Sequence, residues 1–571
     1  MRATMEERKM ARVLRVLLRT VIGAALAASV NAPPLSASPK HEAEERLERQ
    51  PVKENTRVDH DGQPIPQPHV SDPSHLGHLV RESFVEPISH LFDIPDKVIW
   101  LMRPLGVRRV PEAPNVNAFD EVPNSTWFTN RNHVRALSTD AVREGPFGAV
   151  HPTPPYTIKS VKTHGFNPGF NMKDAAGKRW VVKLDRAGFP QISSGAGVVS
   201  SRLVWAAGYN ISHDEAFTFR RDELSIDADL AKGKDGKKPF RDADLEALLT
   251  RGARTQDGRY YAIASFFLPG TPIGPFSFRG IRQDDPNDRF RHKERRDLRG
   301  LFVVYSWVNN WDVKDDQSLD TYGPDSANGH VTHYLLDVNG SLGAAAEGPK
   351  PLKYGYEQRF DTGRTLQRFV TLGFSTDPWR RAHQDSGIPS VGNFEAVEFD
   401  PADWAPLQYM EPFRRMTLAD AYWGAKIVAS FSNAQIAAAV DAAGYEDPRA
   451  PEYIERTLIA RRDKIARFWF ARVAPLDFFH VKDGYLVFHD LAVDLGLAPE
   501  RGYEVEEEHG DGRAVPIEVL ARDPQISLSR LGRGSDEISL RLSVAKSHAR
   551  PVRVDLRRNG HDWVVTRVRH G

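Results

Sequence analysis

The chain has 571 residues, of which 40% are hydrophobic and 10% aromatic, more than one hydrophobic core usually organises, so two or three domains are expected. Its 77 basic residues stand against 76 acidic ones, a net charge of +1, which leaves no global field to recruit nucleic acid or an acidic membrane. There is no cysteine, which excludes a disulfide framework, a thiolate zinc site, a cysteine nucleophile and an iron–sulfur cluster.

In chain order, Arg2, Arg8, Lys9, Arg12, Arg15 and Arg19 form a basic region ahead of the short apolar run Val21–Val30, and small residues continue to Ala37. This pattern reads as a signal peptide over residues 1–37. About ten apolar residues are too few to span a bilayer, which takes roughly twenty; the alternative is an amphipathic helix with one basic face. The expectation is a periplasmic or secreted protein, with no transmembrane segment after signal cleavage. Residues 38–75 are polar and proline-punctuated and read as a disordered linker. Residues 76–150 open with apolar residues at helical spacing (Leu79, Val80, Phe84, Ile88, Leu91), interrupted by Pro87 and Pro95, and read as a helical or irregular extension.

From Tyr156 to Asp185 the pattern changes to alternation broken by turns at Gly165/Gly169 and Ala176-Gly177, which predicts a three-stranded antiparallel meander. Gly195–Ala207 reads as a helix stopped by Gly208, and Tyr260–Phe267 as a buried strand. Phe290–Asn309 reads as one long helix and Tyr334–Asp337 as a short strand. Beyond residue 400 the spacing is helical over Leu418–Ser430, Ala434–Ala443 and Ala450–Phe470. After Asp477 the period becomes two, with Ile538, Leu540, Leu542 and Val544 alternating with polar residues. Asn559-Gly560 ahead of Trp563–Val568 is a hairpin signal.

Four pieces stand in the order that phosphoryl transfer on a protein-kinase-like fold requires: a β-meander, a lysine on its third strand, a helix, and two aspartates around a strand. Lys183 is placed to hold phosphate, and Asp312, in the loop after the long helix, to orient an acceptor hydroxyl. Gln317, five residues on, stands where kinases put a metal-binding asparagine, and Asp337 where they put the principal metal-binding aspartate. The sequence also departs from that pattern. The helix offers Gly195-Ala196-Gly197 and no glutamate, Asp337 is followed by Val338-Asn339, and no glycine-rich phosphate loop stands out.

The plainer reading of Lys183 is a strand-edge residue facing solvent, and of Asp312 a surface acid beside Asp315 and Asp316. Asp337, directly after an apolar strand, needs a partner. Asp284, Asp285 and Asp288 with His292 read as a loop and helix cap. Arg295, Arg296 and Arg299 read as partners of those aspartates or as a phosphate grip.

The segments Asp120–Arg131, Ala207–Asn210, Asp284–Asp288 with His292, Arg295, Arg296, Leu298, Arg299 and Gly300, and Arg461–Ile465 resemble a family of large, exported bacterial proteins, from about Asn117 to Leu495. Over Tyr156–Gly343 that family is similar in turn to atypical kinases, the HipA-type toxins and the spore-coat kinases. The resemblance implies glutamate, asparagine and aspartate-phenylalanine-glycine where this chain has Gly197, Gln317 and Asp337-Val338-Asn339.

The expected fold is α+β, a two-lobed kinase-like core with an antiparallel β-rich N-lobe over 151–285 and a helical C-lobe over 286–476. A small C-terminal β domain is expected over 477–571. The functional expectation is a phosphotransferase using Mg2+ and ATP through Lys183, Asp312, Gln317 and Asp337, acting on an acceptor not specified by the sequence. The alternative is an inactive kinase-like scaffold that binds a ligand or envelope protein.

Overall fold

A computed structural model describes residues 61–70, 110–161, 167–233, 238–323, 329–359, 368, 377–381, 386–508, 514–520, 524–529, 531–532 and 535–571. The signal segment, the helical spacing from Leu76 to Met102 and the turn at Gly165 lie outside the described residues.

Strands β1 (Tyr156–Val161), β2 (Gly169–Lys173) and β3 (Arg179–Leu184) form the expected antiparallel meander. Helix α1 (Ile192–Ala207) follows, then β4 (Asp214–Phe219), β5 (Leu224–Ile226) and β6 (Tyr260–Phe266), and the sheet order is β4-β6-β3-β2-β1-β5. Alternation sends Trp180, Val182 and Leu184 into an apolar cluster with Ile158, Phe170, Met172 and Phe219. The odd-numbered residues of β3 consequently take the other face. On that face Ile263 of β6 belongs to the same core as α1, which is buried at every position except Trp205. Gly208 ends α1 at φ +124°, and a Cβ there would sit 2.3 Å from the Phe128 ring, so the stop is both conformational and steric.

The expected helix Phe290–Asn309 is shorter in the structure. After β7 (Thr271–Gly274), residues His292–Glu294 make a 3-10 turn, and helix α2 runs only from Arg296 to Val308. The cause is long-range. The His292 imidazole pairs with Asp288 at 2.7 Å, and the Asn115 side chain accepts from the Arg296 backbone N–H at 2.8 Å, capping the helix at that point. The arginines of this segment have other acids as partners. Arg295 binds Asp297 and lies over the Trp127 ring, Arg296 bridges Asp120 and Asp420, and Arg299 reaches Asp420. All three are buried, so they are structural ties and present no phosphate grip.

Strands β8 (Ser318–Gly323) and β9 (His330–Leu335) pair in the order β7-β8-β9. The strand before Asp337 thus begins four residues earlier than the apolar run suggested and ends two residues short of the aspartate. His333 pairs with Asp320 at 2.6 Å and stacks on Trp127. Within the expected linker, Ile65 is buried beside Ile273, Tyr322 and Val331, and Asp61 accepts from the Thr126 backbone and hydroxyl.

Two short strands, β10 (Ala344–Ala345) and β11 (Gly348–Pro349), precede the helices α3 (Leu418–Ala429), α4 (Asn433–Asp441) and α5 (Arg449–Phe470). Helices α3 and α4 start at Thr417 and Ser432 with capping boxes to Asp420 and Gln435, as side-chain acceptors at those positions favour. Helix α3 crosses α2 at glycine: a Cβ on Gly300 would lie 2.6 Å from the Trp423 ring, and one on Gly424 2.8 Å from the Gly300 carbonyl.

The remaining strands are β12 (Leu476–Lys482), β13 (Tyr485–Asp490), β14 (Tyr503–Glu508), β15 (Ala514–Leu520), β16 (Gln525–Ser527), β17 (Glu537–Val544), β18 (Val552–Asn559) and β19 (Asp562–His570). They form the sheets β12-β13-β16 and β15-β14-β17-β18-β19. Ile538, Leu540, Leu542 and Val544 lie in a separate apolar cluster, as the period of two requires. Buried polar pairs hold these strands to the rest: Lys426 of α3 reaches Asp477 of β12 and also Glu121, and His570 of β19 meets Asp120 at 3.0 Å. The described fold is therefore mixed, with β-rich sheets and packed helices. Among the described residues no helix is long and apolar enough to cross a membrane.

Candidate functional site

Lys183 stands in the middle of the sheet and away from its edge. Its strand lies between β2 and β6, and Lys183 itself is opposite Gly169 and Ile263. A Cβ on Gly169 would fall 2.2 Å from the Val182 carbonyl oxygen, so β2 and β3 approach here at a distance only glycine permits. The Lys183 side chain is 12% exposed, and its Nζ is 2.7 Å from Oδ1 of Asp337.

Asp337 reaches that position because the chain turns sharply after β9. It sits in the left-handed region at φ +56° and leads into the 3-10 turn Val338–Gly340, a conformation that aspartate tolerates better than most residues. The turn is fixed on both sides. Val338 is fully buried, and the Asn339 amide donates to the Ser193 hydroxyl at 3.1 Å, joining the turn to the start of α1.

Asp312 arrives from the other direction. Asn309 caps α2 in the left-handed region, Trp311 anchors the loop by donating to the Ala344 carbonyl at 2.9 Å, and Asp312 follows. A Cβ on Gly340 would be 3.5 Å from the Asp312 Cβ, which locates Asp312 beside the turn that carries Asp337. Gln317 closes the group: its side-chain amide donates to Asp312 at 2.8 Å, and its backbone carbonyl accepts from the Leu336 N–H at 2.9 Å. The four sequence candidates therefore lie together, in two linked pairs.

The electrostatics follow from burial. Desolvation pushes the Asp312 carboxyl upward, and Asp337 and Asp316 add to it, while Lys314 and the Gln317 hydrogen bond oppose. Lys314 stands 3.9 Å from Asp312 and 3.5 Å from Asp316, a cation that the sequence reading passed over. A carboxylate held above its ordinary range next to a lysine–carboxylate pair can take a proton from a neighbouring hydroxyl.

The missing helix glutamate has a steric explanation. A Cβ on Gly197 would lie 2.4 Å from Cδ1 of Ile263 and 3.2 Å from the Asn339 Cβ, so α1 rests on β6 and on the turn with no room for a side chain. Two further acids stand at strand ends in this sheet, Asp185 just after β3 and Asp214 at the start of β4. Asp185 accepts from the backbone of Gln191, Ser193 and Ser194 and from the Ser194 hydroxyl, which caps α1. Asp214, at the start of β4, is 2% exposed, and burial pushes it up to about 6 against the Ser265 hydroxyl and the charges of Lys183 and Arg202. The sequence assigns Asp214 no role; the β4–β6 register places it on the lysine's face of the sheet.

Asp337, Asp312 and the Gln317 amide oxygen are hard donors of the kind magnesium takes, which needs only one or two carboxylates besides substrate oxygens. In the observed arrangement Gln317 presents its nitrogen to Asp312. Among the described residues no group of three or more histidines and acids is arranged to hold a metal ion. The donor set thus fits a cation shared with a ligand, and does not form a closed protein cage.

No protein-family model matches the chain, and no curated protein matches it. Two solved structures are similar to it over 56% of its length. One is a Helicobacter pylori proinflammatory kinase, CtkA, at 11% identity and TM-score 0.29, with 96% of that chain covered. The other is a Golgi casein kinase with Mn and ADP bound, at 13% identity and TM-score 0.26, with 72% of that chain covered.

Proposed function

We propose that this chain is an exported, kinase-like phosphotransferase with altered motifs, two-lobed over 151–476 and followed by a C-terminal β domain. The single observation that carries this reading is the ion pair of Lys183 with Asp337 at 2.7 Å, with the up-shifted Asp312 beside the same turn. A cation for phosphate, a carboxylate for metal and a base for a hydroxyl are what the reaction needs. With ATP as substrate, Lys183 binds its phosphates; Asp337 with Gln317 would hold Mg2+, which would screen the phosphate charge. Asp312 orients the acceptor hydroxyl and takes its proton as the new P–O bond forms and the bond to the ADP oxygen breaks. The acceptor is a hydroxyl-bearing molecule of the envelope or of the surrounding medium.

The second reading, an inactive scaffold that binds a ligand or envelope protein, is favoured by Gly197, where the contact with Ile263 excludes the glutamate that active kinases use. A thermal-shift titration of the protein with Mg2+ and ATP separates the two. Stabilisation that is lost in Asp337→Ala supports nucleotide binding, and transfer of labelled phosphate that is lost in Asp312→Ala supports catalysis. If neither ATP nor ADP stabilises the protein with magnesium present, the nucleotide reading falls.

A further inference from the structure

Asp337 has two claims on it. It holds Lys183 in the observed arrangement, and on the reading above it holds a cation when nucleotide is bound. A lysine released from Asp337 in a largely buried cleft needs another carboxylate to keep its ammonium ordered and aimed. Helix α1 cannot supply one, because Gly197 sits directly on Ile263 and Asn339. Asp185 cannot either, since both its oxygens are taken by the four donors at the start of α1.

Asp214 is differently placed. In the β-ladder Lys183 is opposite Ile263 and Ile263 opposite Ala216, while the adjacent row is Val181, Ser265 and Asp214. Residues paired across a ladder project to the same face, so Asp214 shares the α1-facing side of the sheet with Lys183, one row along and two strands over. Its side chain is buried, and Oδ1 has no hydrogen-bond partner among the described residues. Such an oxygen costs free energy unless something uses it. Lys183 and Arg202 are the cations that act on it; Arg202 gives Nη2 to Glu215 and Nε to the Arg143 carbonyl, and its Nη1 has no partner among the described residues.

We propose that Asp214 is a positioning residue for Lys183, supplying from the sheet the carboxylate that active kinases supply from the helix. This rests on the phosphate-handling reading of the cleft. The swap of Lys183 from Asp337 to Asp214 makes Asp337 available without leaving the ammonium unpaired.

The test uses the full chain, wild type and Asp214→Asn, with two readouts. The first is the Kd for ADP with Mg2+, beside the melting temperature of the ligand-free protein. Asp214→Asn removes a buried charge, so its ligand-free melting temperature is expected to hold or rise, while Kd weakens about tenfold. Affinity unchanged within twofold overturns the proposal. The second readout needs no nucleotide: in an Asp337→Asn background, which releases Lys183 from its observed partner, the rate at which an amine-selective acylating reagent modifies Lys183, by mass spectrometry, normalised to exposed lysines. Loss of the remaining carboxylate partner frees the amine, and an increase of threefold or more on adding Asp214→Asn is expected. Equal rates overturn the pairing. A wild type that binds no nucleotide defeats the functional reading alone, and the acylation rates then decide Asp214.

Discussion

Adding one methyl group at Gly197 probes the packing on which the whole cleft depends. Two opposing terms set the result of Gly197→Ala. Replacing glycine inside a helix gains about 1 kcal/mol in propensity, and forcing a methyl into a filled core costs about 1–3 kcal/mol. The added Cβ would stand 2.4 Å from Ile263 Cδ1 and 3.2 Å from the Asn339 Cβ, and Ile263 is itself buried, so the cost wins and a net loss of up to about 2 kcal/mol is expected. The clash names its own remedy. Ile263→Val deletes the offending Cδ1 at a cost of about 1 kcal/mol when made alone. In the double variant the methyl added at position 197 fills the space, and the pair is expected to be more stable than the sum of the single effects by about 1 kcal/mol or more. Urea denaturation of the four proteins at one temperature measures this coupling. Additivity within about 0.5 kcal/mol would refute the claim that Gly197 is required by contact with Ile263.

Lys426 pairs with both Glu121 and Asp477 in a buried site, so Lys426→Met leaves these buried acids without their cation and is expected to cost about 3–5 kcal/mol in chemical denaturation. Gly169→Ala drives a Cβ to 2.2 Å from the Val182 carbonyl and is expected to cost about 3 kcal/mol or more, seen as loss of folded yield or a lowered urea midpoint. The buried Asp214 binds its proton more tightly folded than unfolded, with about 6 against an ordinary 3.8. Stability should therefore fall as pH rises from about 4 to 6, by about 3 kcal/mol from this group, and Asp214→Asn should remove that slope. Asp120 and Asp288 are held below their ordinary values with Arg296 and His292 as partners. Their contribution is present above about pH 4 and lost below it, so acid unfolding in Asp120→Asn should start from a lower stability and show a shallower pH dependence.

Periodicity and turn chemistry were sufficient for the elements whose determinants are local. The meander from Tyr156, the helix ended by Gly208, the three helices after residue 417 and the alternating strands after Leu476 all follow from side chains a few residues apart, because amphipathic faces and caps are short-range properties. The candidates Lys183, Asp312, Gln317 and Asp337 could likewise be picked out, from their order and spacing around strands and a helix of recognisable period. Long-range pairing decided the rest. The start of α2 moved to Arg296 because Asn115, 181 residues away, caps it there, and Arg296 and Arg299 found Asp420 across more than a hundred residues. Why the helix lacks a glutamate became clear only when Ile263 and Asn339 were seen to fill the space at Gly197, and Asp214 joined the lysine only through the β4–β6 register. A sequence records which groups are able to carry charge; which of them share a desolvated space is a property of packing, and that decided which acids meet Lys183 and Asp312.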